Sequence, residues 1–532
     1  MANLYGGSSV NQKTILDHPS GLFVLFFTEM WERFSYYGMR ALLVLFLVSS
    51  FDDGGWGWER SEALSLYAWY TGLVYITPIL GGVIADKLLG YRNAVTLGAL
   101  IMTIGHASMA FETSMTFYIG LSCLVLGNGL FKPNISSIVG KIYKENGTKK
   151  DAAYTIFYMG INAGAFLGIL LCGYIGETVG WSYGFGLAGV FMFFGMLQFW
   201  FSQKIFGSIG LSPSEAVADA NERANIGSKA SVNDDDFEEE IGNDDNVPDN
   251  VKRDRVIAIG IFAFFTIFFW WAFEQAGGSM TIFANDYTDR VLTGTGANTF
   301  KIANTLLTVV PMIVITWVLF KLFSVTFSHY PMANVFLGLS FAIIWCIIIW
   351  MLKNQWANSS AEVPASWFGI LNSFFIIVFA PLFGKFWEAK IITSGPVKFA
   401  MGLILLGIGF AILAYGSMSI PQGAKTASVS MVWLIAAYLF HTLGELCISP
   451  VGLSYVSKLA PMKIVGLMFG VWFVANFIAN TAAGLTGSYI DAITETYSMS
   501  TFFLIFTIIP IAAGAVLILL KGVMKRLMHG ID

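Results

Sequence analysis

The chain is predicted to be an all-α polytopic membrane protein of about 14 spanning helices, with its N- and C-termini on the cytoplasmic side. Three observations predict this: an apolar composition, a succession of apolar runs of spanning length, and a one-sided distribution of basic residues. Of 532 residues, 56% are hydrophobic and 12% charged, whereas an ordinary soluble domain carries roughly 25% charged and 45–50% apolar residues. Mean hydropathy is +0.68. Aromatics reach 16%, with 47 Phe, which suits lipid-facing and interfacial surfaces. A net charge of −4 gives no sign of nucleic-acid binding. Cys123, Cys172, Cys346 and Cys447 all sit within apolar stretches. Their spacing implies neither a disulfide framework nor a metal site.

The elements follow in order. The first twenty residues are polar and end in Asp17-His18-Pro19-Ser20. They lack the basic, apolar, small-residue layout of a cleavable signal, so the first apolar helix is expected to be retained. A spanning helix needs about 20 mostly apolar residues. Six such stretches occupy approximately 21–50, 62–88, 92–111, 115–141, 150–178 and 181–206. Residues 207–252 then lose their apolar runs and carry Asp234-Asp235-Asp236 and Glu238-Glu239-Glu240. Low hydropathy with clustered acid reads as a disordered cytoplasmic linker. Eight more stretches lie at 255–284, 302–324, 331–352, 366–388, 396–417, 429–458, 463–488 and 500–526. The pair within 302–352 is the most uniformly apolar and is expected to be a peripheral transmembrane hairpin. The chain thus divides into an N-terminal six-helix bundle (1–206), an acidic linker (207–252) and a C-terminal bundle with the hairpin (253–532).

Orientation follows from Lys and Arg, which gather on the cytoplasmic side. With the N-terminus inside, Arg60, Arg290, Lys301, Lys353 and Lys425 fall outside, while Arg33, Arg40 and Lys132 fall within spans. The other 22 of the 30 basic residues are cytoplasmic.

An ionisable side chain at mid-membrane costs at least about 2.5–3.5 kcal/mol, so each one marks a candidate functional site. The first span holds Glu29, Glu32, Arg33 and Arg40. Counted from Glu29, residues Arg33, Tyr36, Tyr37 and Arg40 fall at offsets of 4, 7, 8 and 11, which is one helix face. Two carboxylates and two guanidinium groups nearly neutralise one another, leaving positive charge and phenols on that stripe. The fourth span adds Lys132 among Gly127, Asn128, Gly129 and Pro133. The seventh carries Trp270 and Glu274, and the twelfth carries Glu445 with Pro450. Both prolines are expected to open backbone carbonyls toward a cavity. All three buried cations belong to the N-terminal half, while Glu274 and Glu445 belong to the C-terminal half. Pairs such as Lys132 with Glu445, or Arg40 with Glu274, would close one face of a cleft, and protonating the Glu would loosen it. That arrangement suits proton coupling.

At these residues the chain resembles the proton-dependent oligopeptide transporter family of the major facilitator superfamily. Four separated motifs carry the resemblance: Glu29-x-x-Glu32-Arg33 with Phe34-Ser35-Tyr36-Tyr37-Gly38; the run Gly81 to Gly90; Phe157-Tyr158-Met159-Gly160-Ile161-Asn162-Ala163-Gly164; and Trp367-Phe368 with Asn372, followed by Gly444-Glu445 and Ser449-Pro450. The resemblance implies a major facilitator fold of two six-helix bundles plus one extra hairpin. It further implies a proton-coupled symporter that imports di- and tripeptides across the cytoplasmic membrane, driven by the proton gradient without a cofactor and acting as a monomer. Arg33, Arg40 and Lys132 would face the peptide carboxylate and the proton-coupling network, and Glu445 would meet the peptide's amino end. Tyr36, Tyr37, Tyr75, Asn162 and Asn372 would hydrogen-bond the peptide backbone, with Trp270 and Trp472 shaping side-chain pockets. Glu29, Glu32 and Glu274 would join the proton path. The chain departs from the family in placing its extra apolar pair at 302–352 rather than between the halves, and in Phe273 beside Glu274.

Other classes stay open on the residues alone. One is a symporter of another solute, such as nitrate or a small metabolite; the acid at Glu445 speaks against a simple anion. A membrane-embedded enzyme would need a nucleophile–base pair or metal ligands at mid-depth, and none is assembled. No phosphate-loop, Ser-His-Asp or metal-ligand spacing is present. His106 and His441 read as packing residues.

Overall fold

The computed structural model describes residues 4–144, 147–225, 247–389, 394–461 and 464–531. Its helices are α1 Ser20–Val48, α2 Arg60–Ile84, α3 Gly90–Met109, α4 Ser114–Ile142, α5 Thr148–Thr178, α6 Trp181–Ser202, α7 Pro213–Asn225, α8 Asp249–Phe273, α9 Ser279–Asp286, α10 Gly294–Thr326, α11 Pro331–Ala357, α12 Ile370–Glu388, α13 Gly395–Gly416, α14 Val432–Leu459, α15 Val465–Gly487, α16 Ile490–Thr496, α17 Met499–Leu519 and α18 Lys521–Leu527. Among the described residues, strands occur as three two-residue pairings at loop ends: Thr14–Ile15 with His18–Pro19, Thr288–Asp289 with Val429–Ser430, and Val291–Leu292 with Ala361–Glu362.

Among the described residues, 12 helical stretches are long and apolar enough to cross a membrane. One of them, Arg60–Met109, runs 50 residues through α2, a π-helical turn and α3. Helix α1 is of spanning length but carries Glu29, Glu32, Arg33 and Arg40, which keep it out of a count based on apolarity.

The chain forms two compact units. Unit 1 comprises Met1–Gly57, Thr77–Asn221 and Arg290–Ile370. Here α5 lies on α1 along a row of glycines: a Cβ on Gly164 would stand 2.2 Å from the Met30 carbonyl oxygen, and one on Gly168 2.2 Å from that of Phe34. Small residues let helix backbones approach in lipid, where no hydrophobic effect drives helices together.

Pro133 sits inside α4. It has no N–H, so the carbonyl of Gly129 four residues earlier loses its helical donor. That carbonyl faces Gly81 of α2, where a Cβ would come within 1.9 Å of it. Gly81→Ala is therefore expected to destabilise the protein by about 1–3 kcal/mol, the usual range for overpacking. Thermal unfolding in detergent measures this. Gly82→Ala, with nothing within 4 Å of the added methyl, is expected to leave the midpoint unchanged.

The hairpin α10–α11 also belongs to unit 1. Phe341 lies edge-on to Phe27 and Trp31, both at 5.6 Å, and Phe336 stacks on Phe201 at 5.6 Å. The hairpin is less uniformly apolar than its composition indicates: Lys301, Asn304, Thr308, Asn334 and Ser340 are buried. Asn304 Nδ2 donates to Gln355 Oε1 at 2.7 Å, and the Trp345 indole donates to Thr316 Oγ1 at 3.0 Å. Lys301 and Ser340 bond to the Asn358 and Leu337 carbonyls, so the buried groups find their partners within the protein, since lipid offers none.

The segment before α1 is knit into unit 1. Asn11 is fully buried, its Oδ1 accepts from the Gly21 N–H at 2.7 Å, and the Gly6 N–H donates to the Ile142 carbonyl at 2.8 Å. His18 Nδ1 lies 2.7 Å from the Tyr143 hydroxyl. Burial, then the charge of Lys149, pushes the His18 imidazole below its ordinary pKa.

The sequence predicts a disordered linker over residues 207–252. Their described part holds α7, opened by a capping box: the Glu215 carboxylate accepts from the Ser212 N–H at 2.8 Å, and Ser212 Oγ accepts from the Glu215 N–H at 3.2 Å. These bonds hold the Glu215 carboxyl below its usual range. The lowered pKa makes the cap fully effective above the ordinary Glu range, and it is lost as pH falls through the lowered value. Ser212→Ala is expected to weaken α7 by about 1 kcal/mol, read as faster amide exchange confined to that helix. The acidic runs 234–236 and 238–240 lie outside the described residues.

Unit 2 comprises Trp58–Ile76, Glu222–Asp289 and Leu371–Asp532. It takes in the first part of α2 because Gly72 and Gly484 permit contact with α15: a Cβ on Gly72 would stand 2.1 Å from Thr481 Oγ1, and one on Gly484 2.5 Å from Ala68. Helix α13 packs between α14 and α17, and α15 packs on α8.

Candidate functional site

In unit 1, α1 carries its charges into the protein. Glu29, Glu32 and Arg33 are 2%, 0% and 4% exposed, so they face the interior rather than lipid. Arg33 Nε sits 3.1 Å from Glu29 Oε1, one helical turn away, and is hydrogen-bonded to the Glu32 carboxylate. Asn128 of α4 donates to Glu32 Oε1 at 3.1 Å. The Arg33 guanidinium lies 5.3 Å over the Tyr36 ring, which meets Tyr37 edge-on at 5.1 Å. Lys132 is within electrostatic reach of Glu29. Two acids and two bases thus share one buried region and sum to zero formal charge. Among the described residues, Glu29 Oε2, Asn128 Oδ1 and Arg33 Nη2 are buried without a hydrogen-bond partner, so the cluster keeps two acceptors and one donor unsatisfied. Tyr37 and Arg40 continue the stripe and are half-buried, as is Lys132.

Asn162 is half-buried on α5, and its Nδ2 donates to the Tyr158 carbonyl of its own helix at 3.0 Å. The glycines of that motif do the positioning: Gly164 brings α5 to within contact of Met30 and Arg33.

In unit 2, Asn372 of α12 donates to Glu445 Oε2 of α14 at 2.7 Å and to Thr442 Oγ1 at 3.2 Å. Glu274 begins the 3-10 turn Glu274–Gly277 that breaks α8 from α9, is 5% exposed, and lies within electrostatic reach of Glu445. No basic side chain of this unit forms an ion pair with Glu445 among the described residues. Trp270 is half-buried and edge-on to Phe269 and Phe273, at 5.2 and 5.1 Å. Trp472 is buried against Gly452, where a Cβ would meet its ring at 2.5 Å. Tyr75 is half-buried on α2. His441 lies tilted against Phe410, ring centres 4.3 Å apart, with both ring nitrogens unbonded among the described residues, and His106 is buried in the same unbonded state. Both pack, as the sequence indicates. Pro450 falls outside the described side chains.

Two clusters were not anticipated. Arg60, counted only as an outer basic residue, donates to Asp286 at 2.6 Å, Asp491 at 2.8 Å, the Tyr287 hydroxyl at 3.0 Å and the Lys425 carbonyl at 2.9 Å. Lys425 adds a 2.8 Å bond to Glu495, and this holds the Lys425 ammonium above its usual pKa. In unit 1, the Glu177 carboxylate accepts from the Ala365 and Ser366 N–H groups at 2.8 and 3.0 Å. A carboxylate is well placed at the unpaired N–H groups of a helical turn. The neighbouring Trp367 indole donates to the Leu170 carbonyl at 2.9 Å. No local sequence signal marks either cluster, since each joins segments far apart in the chain.

Comparison with known proteins identifies the family. The PTR2 profile, described as the POT family, matches residues 92–349 and 325–505. The uncharacterized transporter YclF of Bacillus subtilis is 34% identical over 98% of this chain and 98% of its own length. The peptide transporter YePEPT of Yersinia enterocolitica is 32% identical over 97% of this chain and 96% of its own. A crystal structure of a peptide transporter POT in complex with sulfate is similar with a TM-score of 0.73 and 30% identity, covering 98% of both chains. A profile spanning most of the sequence, together with full-length relatives above 30% identity, shows that the chain belongs to the POT family.

Proposed function

We propose that this protein is a proton-coupled symporter that imports di- and tripeptides by alternating access. It is a multi-pass cell membrane protein, and its family comprises secondary transporters rather than enzymes. We count 14 crossings: the 12 apolar stretches, with Arg60–Met109 taken as α2 and α3, plus the charged α1. Both termini are then cytoplasmic, in keeping with the distribution of Lys and Arg. The names of YePEPT and of the sulfate-bound transporter support peptides as the substrate class.

The observation that carries the reading is Glu445. Its carboxylate is oriented by Asn372 at 2.7 Å and, among the described residues, has no cation paired with it in its own unit. A peptide ammonium would complete it. Arg33, Arg40 and Lys132 supply positive charge for the peptide carboxylate, and Tyr36, Tyr37, Tyr75, Asn162 and Asn372 supply donors and acceptors for its backbone. Recognising backbone and termini leaves the side chains to Trp270 and Trp472, so selectivity is broad. Glu29, Glu32 and Glu274, all buried, are the proton-coupling acids together with the half-buried Glu445, each beside another charged group. The cycle uses the proton gradient alone, with no cofactor, in a single protomer.

Reconstitution tests this reading. In liposomes with an outside-acid gradient, labelled dialanine is expected to accumulate above its external concentration. A proton ionophore is expected to abolish that accumulation. Unlabelled dipeptide should compete, while free alanine and nitrate should not. Accumulation that persists without a gradient rejects symport, and competition by nitrate reassigns the substrate.

A further inference from the structure

Helix α18 has seven residues, with buried Met524 and Met528 anchoring that end of the chain while Lys521, Lys525 and Arg526 point outward. It packs on α8, whose first turns hold Arg253, Asp254 and Arg255. Asp254 is engaged: His529 Nε2 stands 2.9 Å from it and Arg253 3.5 Å. Arg255 beside it is half-buried, and its Nε is sequestered with no hydrogen-bond partner. Helix α18 also meets α13, whose Lys398 lies within electrostatic reach of Lys458 and 4.6 Å over the Trp387 ring. Among the described residues, Arg255, Lys398, Lys458, Lys521, Lys525 and Arg526 form no ion pair.

A half-buried guanidinium and neighbouring like charges need an anion. At the edge of a membrane protein, the anions at hand are lipid phosphates. A guanidinium presents a planar fork that matches phosphate oxygens two at a time, and an interfacial Trp sits at headgroup level. We propose that this end of unit 2 binds the headgroup of an anionic phospholipid, with Arg255 gripping the phosphate and the lysines of α18 and Lys398 surrounding it. The proposal stands apart from the transport reading and does not need it.

Native mass spectrometry of the full-length protein tests it. Detergent-solubilised protein is offered equimolar phosphatidylglycerol and phosphatidylcholine. Wild type is expected to retain phosphatidylglycerol at least tenfold in preference, on the basis of about fivefold per cation near the headgroup. Arg255→Gln combined with Lys521→Gln and Lys525→Gln is expected to lose the preference. Arg255→Lys with Lys521→Arg and Lys525→Arg is expected to keep most of it. Lys353→Gln, at an exposed lysine of α11, is expected to leave it intact. The single Gln variants carry the same test with little risk to the fold, at about fivefold each. Equal retention of both lipids by wild type, or an unchanged preference in the neutral variants, overturns the proposal. Displacement of the lipid by inorganic phosphate alone also overturns it, since the site would then belong to a free anion.

Discussion

Glu445→Gln is expected to lower uptake of dipeptides with a free amino end by roughly 30-fold to several thousand-fold. The amide retains an oxygen that accepts from Asn372, which now donates to Glu445 at 2.7 Å, so the packing of α12 on α14 survives. What disappears is the negative charge that an ammonium would meet. Removing one partner of a buried, hydrogen-bonded charge pair costs about 2–5 kcal/mol, and each 1.4 kcal/mol is a factor of ten. The effect should be specific to the amino end. An N-acetylated dipeptide carries no ammonium, and its weak uptake is expected to change little. Uptake assays with both substrates, at matched protein in the membrane, check this. Equal uptake of free-amino dipeptides by variant and wild type removes Glu445 from the role of anchor.

Arg33→Leu is expected to abolish folded protein rather than merely slow transport. Its guanidinium sits 3.1 Å from Glu29 and is hydrogen-bonded to Glu32, and all three are buried. Without it, two carboxylates share a low-dielectric region with only Lys132 to balance them. Breaking a buried ion pair by removing one partner costs about 3–5 kcal/mol, whereas replacing the whole set by neutral groups of similar size is often tolerated. Glu29→Gln with Glu32→Gln and Arg33→Leu is therefore expected to recover monodisperse protein while remaining inactive in proton-driven uptake. Size-exclusion profiles and proteoliposome assays separate the two outcomes. Active transport by the triple variant would exclude these residues from the proton path.

The stripe on α1 was legible in the sequence because helical periodicity alone sets which residues share a face, and burial follows from charge at mid-membrane. The individual members of the second cluster were legible too, as polar residues in apolar runs. Their pairing was not: Asn372 and Glu445 lie on α12 and α14, and only tertiary packing fixes which donor meets which carboxylate. Arg60 shows the same limit, since its partners come from α9, the 425 loop and α16. The hairpin misled for a different reason. A handful of Asn, Thr and Ser residues hardly lowers the hydropathy of 302–352, yet Asn304 and Thr326 pair across to α11, Thr308 and Ser340 bond within their own helices, and all are hidden from lipid. For α7, the capping box Ser212-x-x-Glu215 was present, but the strongly acidic stretch after it dominated the reading of the linker.

Unit 1 is discontinuous along the chain, and this bears on how the protein is made. The Glu177 carboxylate finds its donors 188 and 189 residues further on. Phe27, Trp31 and Phe201 likewise wait for aromatic rings of α11. As the ribosome releases the first six helices, they enter the bilayer with a buried-type acid and an aromatic face uncovered. Their assembly stays unfinished until residue 370 has been translated. A fragment ending in the linker is thus an incomplete folding unit, and a nascent chain needs shielding at that surface through the synthesis of α7 to α11.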